Sequence, residues 1–91
     1  WNLHMESGSC LGPHVICYNQ AEVRLLKDST VSQYAYLCAA GHSTSETNNP
    51  NSGLIVAPIT IGEGAWVGTQ AYIGMGVIVG NHAVVGARAA A

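Results

Sequence analysis

The stretch from residue 55 to residue 90 reads IVAPIT-IGEGAW-VGTQAY-IGMGVI-VGNHAV-VGARAA. Each block of six begins with isoleucine or valine, and the same frame extends back to leading residues at 37, 31 and 25. All nine leading positions are valine, isoleucine or leucine, although those types make up 21 of 91 residues and chance would place about two there. The fifth residue is small in seven of the nine blocks, and the second is glycine in five. The chain is therefore built from a hexapeptide repeat.

An earlier block repeats the pattern in a shifted frame. Its leading residues are Met5, Leu11 and Cys17, and it covers residues 5–22. Val23 and Arg24 form a two-residue slip between this block and the next one. We expect the slip to be absorbed without loss of the repeat.

A period of six favours strands, because side chains alternate along a strand and only the leading and fifth residues then point inward. A helix would need a period of 3.6, and Pro13 and Pro58 also oppose helices. The glycine after the leading residue suits either unusual backbone angles or a close approach of another backbone. Three strands per eighteen residues predict an all-β parallel β-helix of about four coils. The expected coils are residues 5–22, 25–42, 55–72 and 73–90.

One segment interrupts the repeat. Residues 43–54 are polar and rich in turn formers, and their twelve positions equal two hexads, so the frame is expected to survive them. We interpret them as a loop insertion in a single domain covering residues 1–91. A long loop on a rigid scaffold often carries function, although it can also be a tolerated insertion.

Composition excludes several classes of protein. Charged residues are 9% of the chain, the net charge is -2, and no basic stripe suggests a nucleic-acid ligand. No apolar run has the length of a membrane span and no signal-peptide pattern opens the chain, so we expect a cytoplasmic protein. Three cysteines without a CxxC spacing predict reduced, packed thiols rather than a zinc site. Because the chain starts at Trp1 and stops within a repeat, we expect a fragment.

Several stretches are similar to a known family. They are Cys10-Leu-Gly-Pro, Cys17-Tyr-Asn, Val31-Ser-Gln-Tyr-Ala-Tyr-Leu-Cys, Gly41-His42 and Ala57-Pro-Ile-Thr-Ile-Gly-Glu-Gly-Ala-Trp-Val-Gly. They resemble the hexapeptide-repeat acyltransferases, in particular the maltose/galactoside O-acetyltransferase group and the candidate colanic acid biosynthesis acetyltransferases. The resemblance implies a left-handed coil, although parallel crossovers are normally right-handed.

The resemblance also implies an activity. The protein would be a homotrimer with sites between neighbouring prisms, transferring acetyl from acetyl-CoA to a hydroxyl of a sugar or glycan, with no metal. His42 matches the general base of the family, which acts by direct attack of the acceptor on the thioester.

Further residues match binding positions of that family. Trp66 would form one side of the acetyl-CoA groove at its thioester end. Thr69 would hydrogen-bond to the pantetheine arm, and Ala87 would contact the same arm through its backbone. Tyr18 and Asn19 fall near the acceptor contacts.

The repeat frame offers a spacing argument for this placement. It assigns His42, Thr69 and Ala87 to the third hexads of their coils, and Thr69 and Ala87 are eighteen residues apart. We therefore expect all three residues on one side of the prism, along one groove.

The chain departs from the family in places. Ser43 follows His42 where an aspartate is common nearby, and we expect a fragment without the terminal segments of the family, including its C-terminal cap. Leu26-Lys27 replaces a usual glycine-acidic pair, so we expect that corner to be strained or reshaped.

Two alternatives stay open at this point. A zinc carbonic anhydrase of the γ type would need three converging histidines, whereas His4, His14 and His82 are interpreted as structural or surface residues. The other alternative is a non-catalytic trimeric solenoid scaffold or an inactive truncated relic.

Overall fold

The computed structural model describes residues 2–42 and 54–91, and at residues 41, 42, 54 and 55 it describes the backbone alone. The described part consists of short strands and turns, and it holds no helix that could span a membrane. The strands are β1 Leu3–Met5, β2 Cys10–Leu11, β3 Ile16–Tyr18, β4 Val23–Leu25, β5 Thr30–Val31, β6 Tyr36–Cys38, β7 Ala40–His42, β8 Leu54–Val56, β9 Ile59–Ile61, β10 Trp66–Val67, β11 Tyr72–Ile73, β12 Ile78–Val79 and β13 Val84–Val85.

Three parallel sheets form the walls of a prism. Wall A is β1-β4-β9-β12, wall B is β2-β5-β10-β13, and wall C is β3-β6-β11, extended by a bridge between Tyr72 and Ala90. The chain passes through A, B and C in turn four times, so the predicted left-handed parallel β-helix of about four coils is confirmed. The right-handed rule rests on helices that pack back onto a sheet, and these coils turn through tight corners instead.

The register confirms the shifted frame of the first coil. Met5 pairs with Leu25 and Cys17 pairs with Leu37, so the first coil takes twenty residues, whereas the third takes eighteen from Ile61 to Val79. The two extra residues lie in the corner that leads from wall C back to wall A.

The leading and fifth residues of the hexads form the core, as predicted. Leading residues of the second and third coils are fully buried, and the fifth residues of the first two hexads of each of these coils are at most 1% exposed. These residues are Leu25, Val31, Leu37, Ile61, Val67 and Ile73, with Ser29, Ala35, Ala65 and Ala71. The core is therefore a set of aliphatic ladders separated by small side chains.

In the part of the chain that the structure describes, the unusual backbone angles fall on the fourth residue of nine hexads and not on the second residue. Positive φ values between 59° and 62° occur at non-glycine residues, and glycines with positive φ occupy the same position elsewhere. The non-glycine residues are His14, Asp28, Tyr34, Gln70, His82 and Arg88.

The second-position glycine is explained by close approach of the next coil. A Cβ on Gly62 would lie 2.6 Å from the backbone nitrogen of Asn81, whereas one on Gly80, in the last coil, would meet nothing within 4 Å. Glycine at this position lets neighbouring corners stack at backbone distance.

The expected reshaping at Leu26-Lys27 is wrong. Ser29 N–H donates to the Leu26 carbonyl at 3.1 Å, as Ala65 N–H does to Gly62 at a regular corner. Leu26 N–H also keeps its ladder bond to the Ile61 carbonyl at 2.9 Å, so the side chain is accommodated without a change in the backbone.

The interruption of the repeat is longer than the sequence predicts. Leu25 pairs with Ile61, 36 positions later, so eighteen residues rather than twelve are added between two stacked coils. The hexad that begins at Ile55 is not on a wall, because β7 and β8 form an antiparallel pair in which Gly41 faces Ile55. The expected coils 55–72 and 73–90 are thus out of phase by one hexad, and most of the predicted loop 43–54 lies outside the described residues.

The ladder core predicts different effects on stability for the substitution of two isoleucines. Ile61 is fully buried and Ile78 is 75% exposed on the same wall. We expect Ile61→Ala to lower the free energy of unfolding by about 2–5 kcal/mol, because it leaves a cavity. Ile78→Ala should change it by less than about 0.5 kcal/mol. Urea denaturation followed by circular dichroism measures both, and equal losses would contradict the inward assignment.

Candidate functional site

A shallow depression lies where wall B turns into wall C in the last two coils. Its volume is ≈240 Å³. It is lined by Ser32, Trp66, Gly68, Thr69, Val84, Val85, Gly86 and Ala87. The three residues that the sequence assigns to a cofactor groove, Trp66, Thr69 and Ala87, are therefore brought together.

Stacking of equivalent corners produces this convergence. Arg88 N–H donates to the Thr69 carbonyl at 2.9 Å, and Gly68 N–H donates to Val85 at 2.8 Å. Thr69 and Ala87 are thus neighbours across one coil, as the spacing of eighteen predicts. Because Gly68 and Gly86 carry no side chain, backbone forms much of the floor.

Trp66 forms one side of the depression. It is the outward residue of β10, its side chain is 54% exposed, and its indole Nε1–H donates to Ser32 Oγ at 2.7 Å. Ser32 is not among the site residues predicted from the sequence. The available signal was a hydroxyl residue at the second hexad position, where glycine usually stands.

The backbone of His42 lies at a different edge of the prism. Its strand β7 follows β6 of wall C and pairs with β8, and Ala57 N–H donates to the Ala39 carbonyl at 3.1 Å at the base of this hairpin. The chain then enters wall A at β9, so the hairpin leaves from the C-to-A corner. Thr69 and Ala87 occupy the B-to-C corner.

The predicted placement of His42 beside Thr69 and Ala87 is therefore wrong. Val67 pairs with Val31, which aligns the hexad of Thr69 with residues 31–36 rather than with residues 37–42. The error arises from the coil phase, because the insertion adds three hexads instead of two.

The predicted acceptor residues lie on the His42 side. Tyr18 is 43% exposed at the end of β3, where it pairs with Cys38 of the next coil, and its hydroxyl accepts a bond from Gln20 Nε2 at 2.7 Å. The Asn19 carbonyl accepts from Asn2 Nδ2 at 3.1 Å. The candidate residues thus form two groups, one at the C-to-A corner and one at the B-to-C corner.

Of the other histidines, His14 and His4 make side-chain contacts, and His82 is exposed, with its backbone N–H donating to the Glu63 carbonyl at 2.8 Å. The His14 ring stacks on Tyr34 with centroids 5.0 Å apart, and His4 Nε2 lies 3.1 Å from Glu22 Oε2. His4 borders a larger depression of ≈460 Å³ on the first coil, where the carboxylate of Glu22 also pairs with Arg24 at 3.1 Å. That surface carries none of the predicted site residues, so we assign the candidate site to the smaller depression.

The cysteines match only in part the prediction of reduced, packed thiols. Cys17 is half-buried, and burial raises the pKa of its thiol, which keeps it protonated and unreactive. Cys10 is exposed, which the packed-thiol interpretation did not anticipate. Among the side chains that the structure describes, which leave out that of His42, no three histidine, cysteine or acidic groups are placed to hold a metal ion.

The fold is similar to that of a solved acyltransferase. AntD, an N-acyltransferase from Bacillus cereus solved as a point variant in complex with dTDP-4-amino-4,6-dideoxyglucose and coenzyme A, superposes with a TM-score of 0.83. The match covers 97% of this chain and 51% of AntD at 14% sequence identity, so it establishes the fold alone. No protein-family model matches the chain.

Sequence relatives agree with the family resemblance. The chain is similar in sequence to curated acetyltransferases. It is 31% identical over 88 residues to WcaF of Escherichia coli K12, named as a candidate acetyltransferase of colanic acid biosynthesis, and equally to WcaF of Shigella flexneri. The match covers 97% of this chain and 47% of WcaF, so the chain spans about half the length of these curated relatives.

The stacked corners predict different effects on stability for the substitution of two glycines of the depression. A Cβ on Gly68 would lie 2.6 Å from the Ala87 backbone nitrogen, whereas one on Gly86 would meet nothing within 4 Å. We expect Gly68→Ala to destabilise the fold by about 1–3 kcal/mol, because backbone must move. Gly86→Ala should be neutral or stabilising by up to about 1 kcal/mol. Thermal denaturation compares the two, and similar values would show that the corners do not stack as described.

Proposed function

We propose that this chain carries the catalytic core of an O-acetyltransferase that moves acetyl from acetyl-CoA to a hydroxyl of a sugar or glycan. The observation that carries the proposal is the convergence of Trp66, Thr69 and Ala87 on one depression. These are the positions that the family resemblance assigns to the acetyl-CoA groove. The relatives named as acetyltransferases, and the fold neighbour that holds coenzyme A and an amino sugar nucleotide, support the same class.

The depression suits the thioester arm of acetyl-CoA better than its phosphates. Its lining contains no charged residue, and it combines Val84 and Val85 with the hydroxyls of Ser32 and Thr69. The pantetheine arm is a long uncharged chain with two amides, which needs apolar contact and a few hydrogen-bond partners. Thr69 can donate to an amide carbonyl, and the backbone of Ala87 borders the same path.

The C-to-A corner suits the acceptor. Both departures from the eighteen-residue coil fall at this corner, the two-residue slip in the first coil and the insertion in the second. Tyr18 and Asn19 lie at the first departure, and the strand that ends at His42 belongs to the second. Irregular segments on a rigid scaffold are common places for substrate contacts.

The two groups need a second copy of the chain to meet. One prism presents the His42 strand at one corner and the acetyl-CoA depression at another, so a complete site requires the corner of a neighbour. A cyclic homotrimer would pair these corners three times. We therefore propose that each site lies between two protomers of a homotrimer.

The proposed chemistry is direct acyl transfer. An alcohol is a weak nucleophile at neutral pH, and the His42 imidazole would take its proton as the oxygen attacks the thioester carbonyl. The new C–O bond forms, the C–S bond breaks, and the CoA thiolate leaves to be protonated. Charge that develops on the carbonyl oxygen needs a hydrogen-bond donor in the site.

Substitution of His42 tests the base. We expect His42→Ala and His42→Asn to lower kcat by 10²–10⁴-fold, because general-base catalysis is worth about that much, with little change in acetyl-CoA binding. Turnover of the full-length protein with a panel of sugar and glycan acceptors measures the rate, and calorimetry measures binding. A rate within a few-fold of wild type would show that His42 is not the base.

Subunit mixing tests the position of the site. Thr69→Trp places a large side chain in the depression from a corner position outside the buried core, so it should block donor binding without unfolding the prism. Neither this variant nor His42→Ala should be active alone. Trimers assembled at random from equal amounts of both should regain about one quarter of the wild-type activity, because one interface in four joins an intact His42 to an intact depression.

Two outcomes of the mixing experiment would contradict the proposal. No recovery in mixed trimers would place both halves of the site in one chain. Sedimentation as a monomer at the concentration of the assay would show that the protein does not form the proposed trimer.

A non-catalytic trimeric scaffold is the alternative. It predicts a stable trimer that binds no acetyl-CoA and has no transferase activity for a His42 substitution to reduce. Calorimetry of acetyl-CoA binding therefore distinguishes the scaffold from the transferase. A cytoplasmic location stays a prediction.

A further inference from the structure

The Trp66 side chain is tied to the neighbouring coil by a side-chain hydrogen bond. Its indole Nε1–H donates to Ser32 Oγ at 2.7 Å, and the two residues are 34 positions apart in the sequence. The distance is short for a neutral N–H···O bond. It links β10 of the third coil to the corner that follows β5 in the second.

This bond exists because Ser32 departs from the repeat. Ser32 holds the second position of its hexad, where glycine stands at Gly12, Gly62 and Gly68 among others. Glycine would offer the indole no acceptor. Thr30 pairs with Trp66 across the ladder, and Ser32 lies two residues further along, toward the B-to-C corner.

The bond therefore directs the indole toward the depression. Trp66 is 54% exposed on a flat strand surface, and an exposed side chain without a polar partner changes rotamer on a picosecond to nanosecond timescale. Ser32 and Trp66 both line the depression, so a ring held on Ser32 forms a fixed side of it.

Ser32 also keeps hydrogen-bonding capacity after accepting from the indole. A serine hydroxyl has one proton and two lone pairs, and the indole N–H uses one lone pair. The hydroxyl proton can be donated to a carbonyl that enters the depression.

We propose that Ser32 is a positioning residue that fixes the Trp66 indole as the rim of the donor depression, so that acetyl-CoA binding depends on the orientation of the ring. The identity of the ligand rests on the proposed function, whereas the positioning of the ring does not.

Nuclear magnetic resonance of the indole N–H tests the positioning directly. The full-length protein is labelled with ¹⁵N, and the Trp66 signal is identified by its loss in Trp66→Phe. In Ser32→Ala we expect the Trp66 indole signal to shift and its exchange with solvent to accelerate. Ser32→Thr, which retains the hydroxyl, should preserve both properties, and Ser7→Ala, an exposed serine of the first coil, should change neither. An unchanged Trp66 signal in Ser32→Ala would overturn the proposal.

Kinetics tests the consequence for binding. We expect Ser32→Ala to raise the KM for acetyl-CoA about fivefold, the value of one net hydrogen bond, with kcat within twofold of wild type. Ser32→Thr should restore the wild-type KM. A shifted indole signal with an unchanged KM would overturn the link to donor binding. If the wild-type protein binds no acetyl-CoA, the proposed function fails, and the indole measurement still decides the role of Ser32.

Discussion

The register of the parallel ladders is the constraint on which the rest of the molecule depends. Every wall strand bonds to the equivalent strand one coil away, which places Leu25, Ile61 and Val79 directly over one another. A slip of one residue would exchange the inward and outward side chains of a whole strand. Irregularities are therefore confined to corners, and the chain returns to the same register after the twenty-residue first coil and after the longer insertion.

The same constraint builds a surface from residues that are distant in sequence. Residues eighteen positions apart are in contact across a coil, as Thr69 and Ala87 are. A side chain can also reach diagonally onto the adjacent coil, as Trp66 does to Ser32, two residues beyond its ladder partner Thr30. Glycine at the second hexad position leaves the depression floored by backbone. The repeat thus forms the groove, and a single departure from it such as Ser32 adds a hydrogen-bonding side chain.

The corners of the prism have different characters. The B-to-C corner is regular in every described coil and carries the proposed donor depression, while the C-to-A corner holds both departures from the repeat and the strand of His42. Regular stacking provides a straight path for an extended ligand, and irregular segments provide varied side chains for an acceptor. An assembly that sets one corner of a prism against a different corner of its neighbour would combine the two.

The sequence by itself determined the hexad frame, the inward residues, the two-residue slip and the stacking of Thr69 and Ala87, because each follows from the local six-residue period. The place of Trp66 beside them was expected from the family resemblance. It could not determine the coil phase after the insertion. Ile55 begins a hexad that matches the repeat, yet alternating apolar residues fit an antiparallel hairpin equally well, and only its pairing with Gly41 decides between them. The edge at which His42 leaves the prism and the bond from Trp66 to Ser32 were likewise decided by tertiary structure, because both depend on which strands lie side by side rather than on any local pattern.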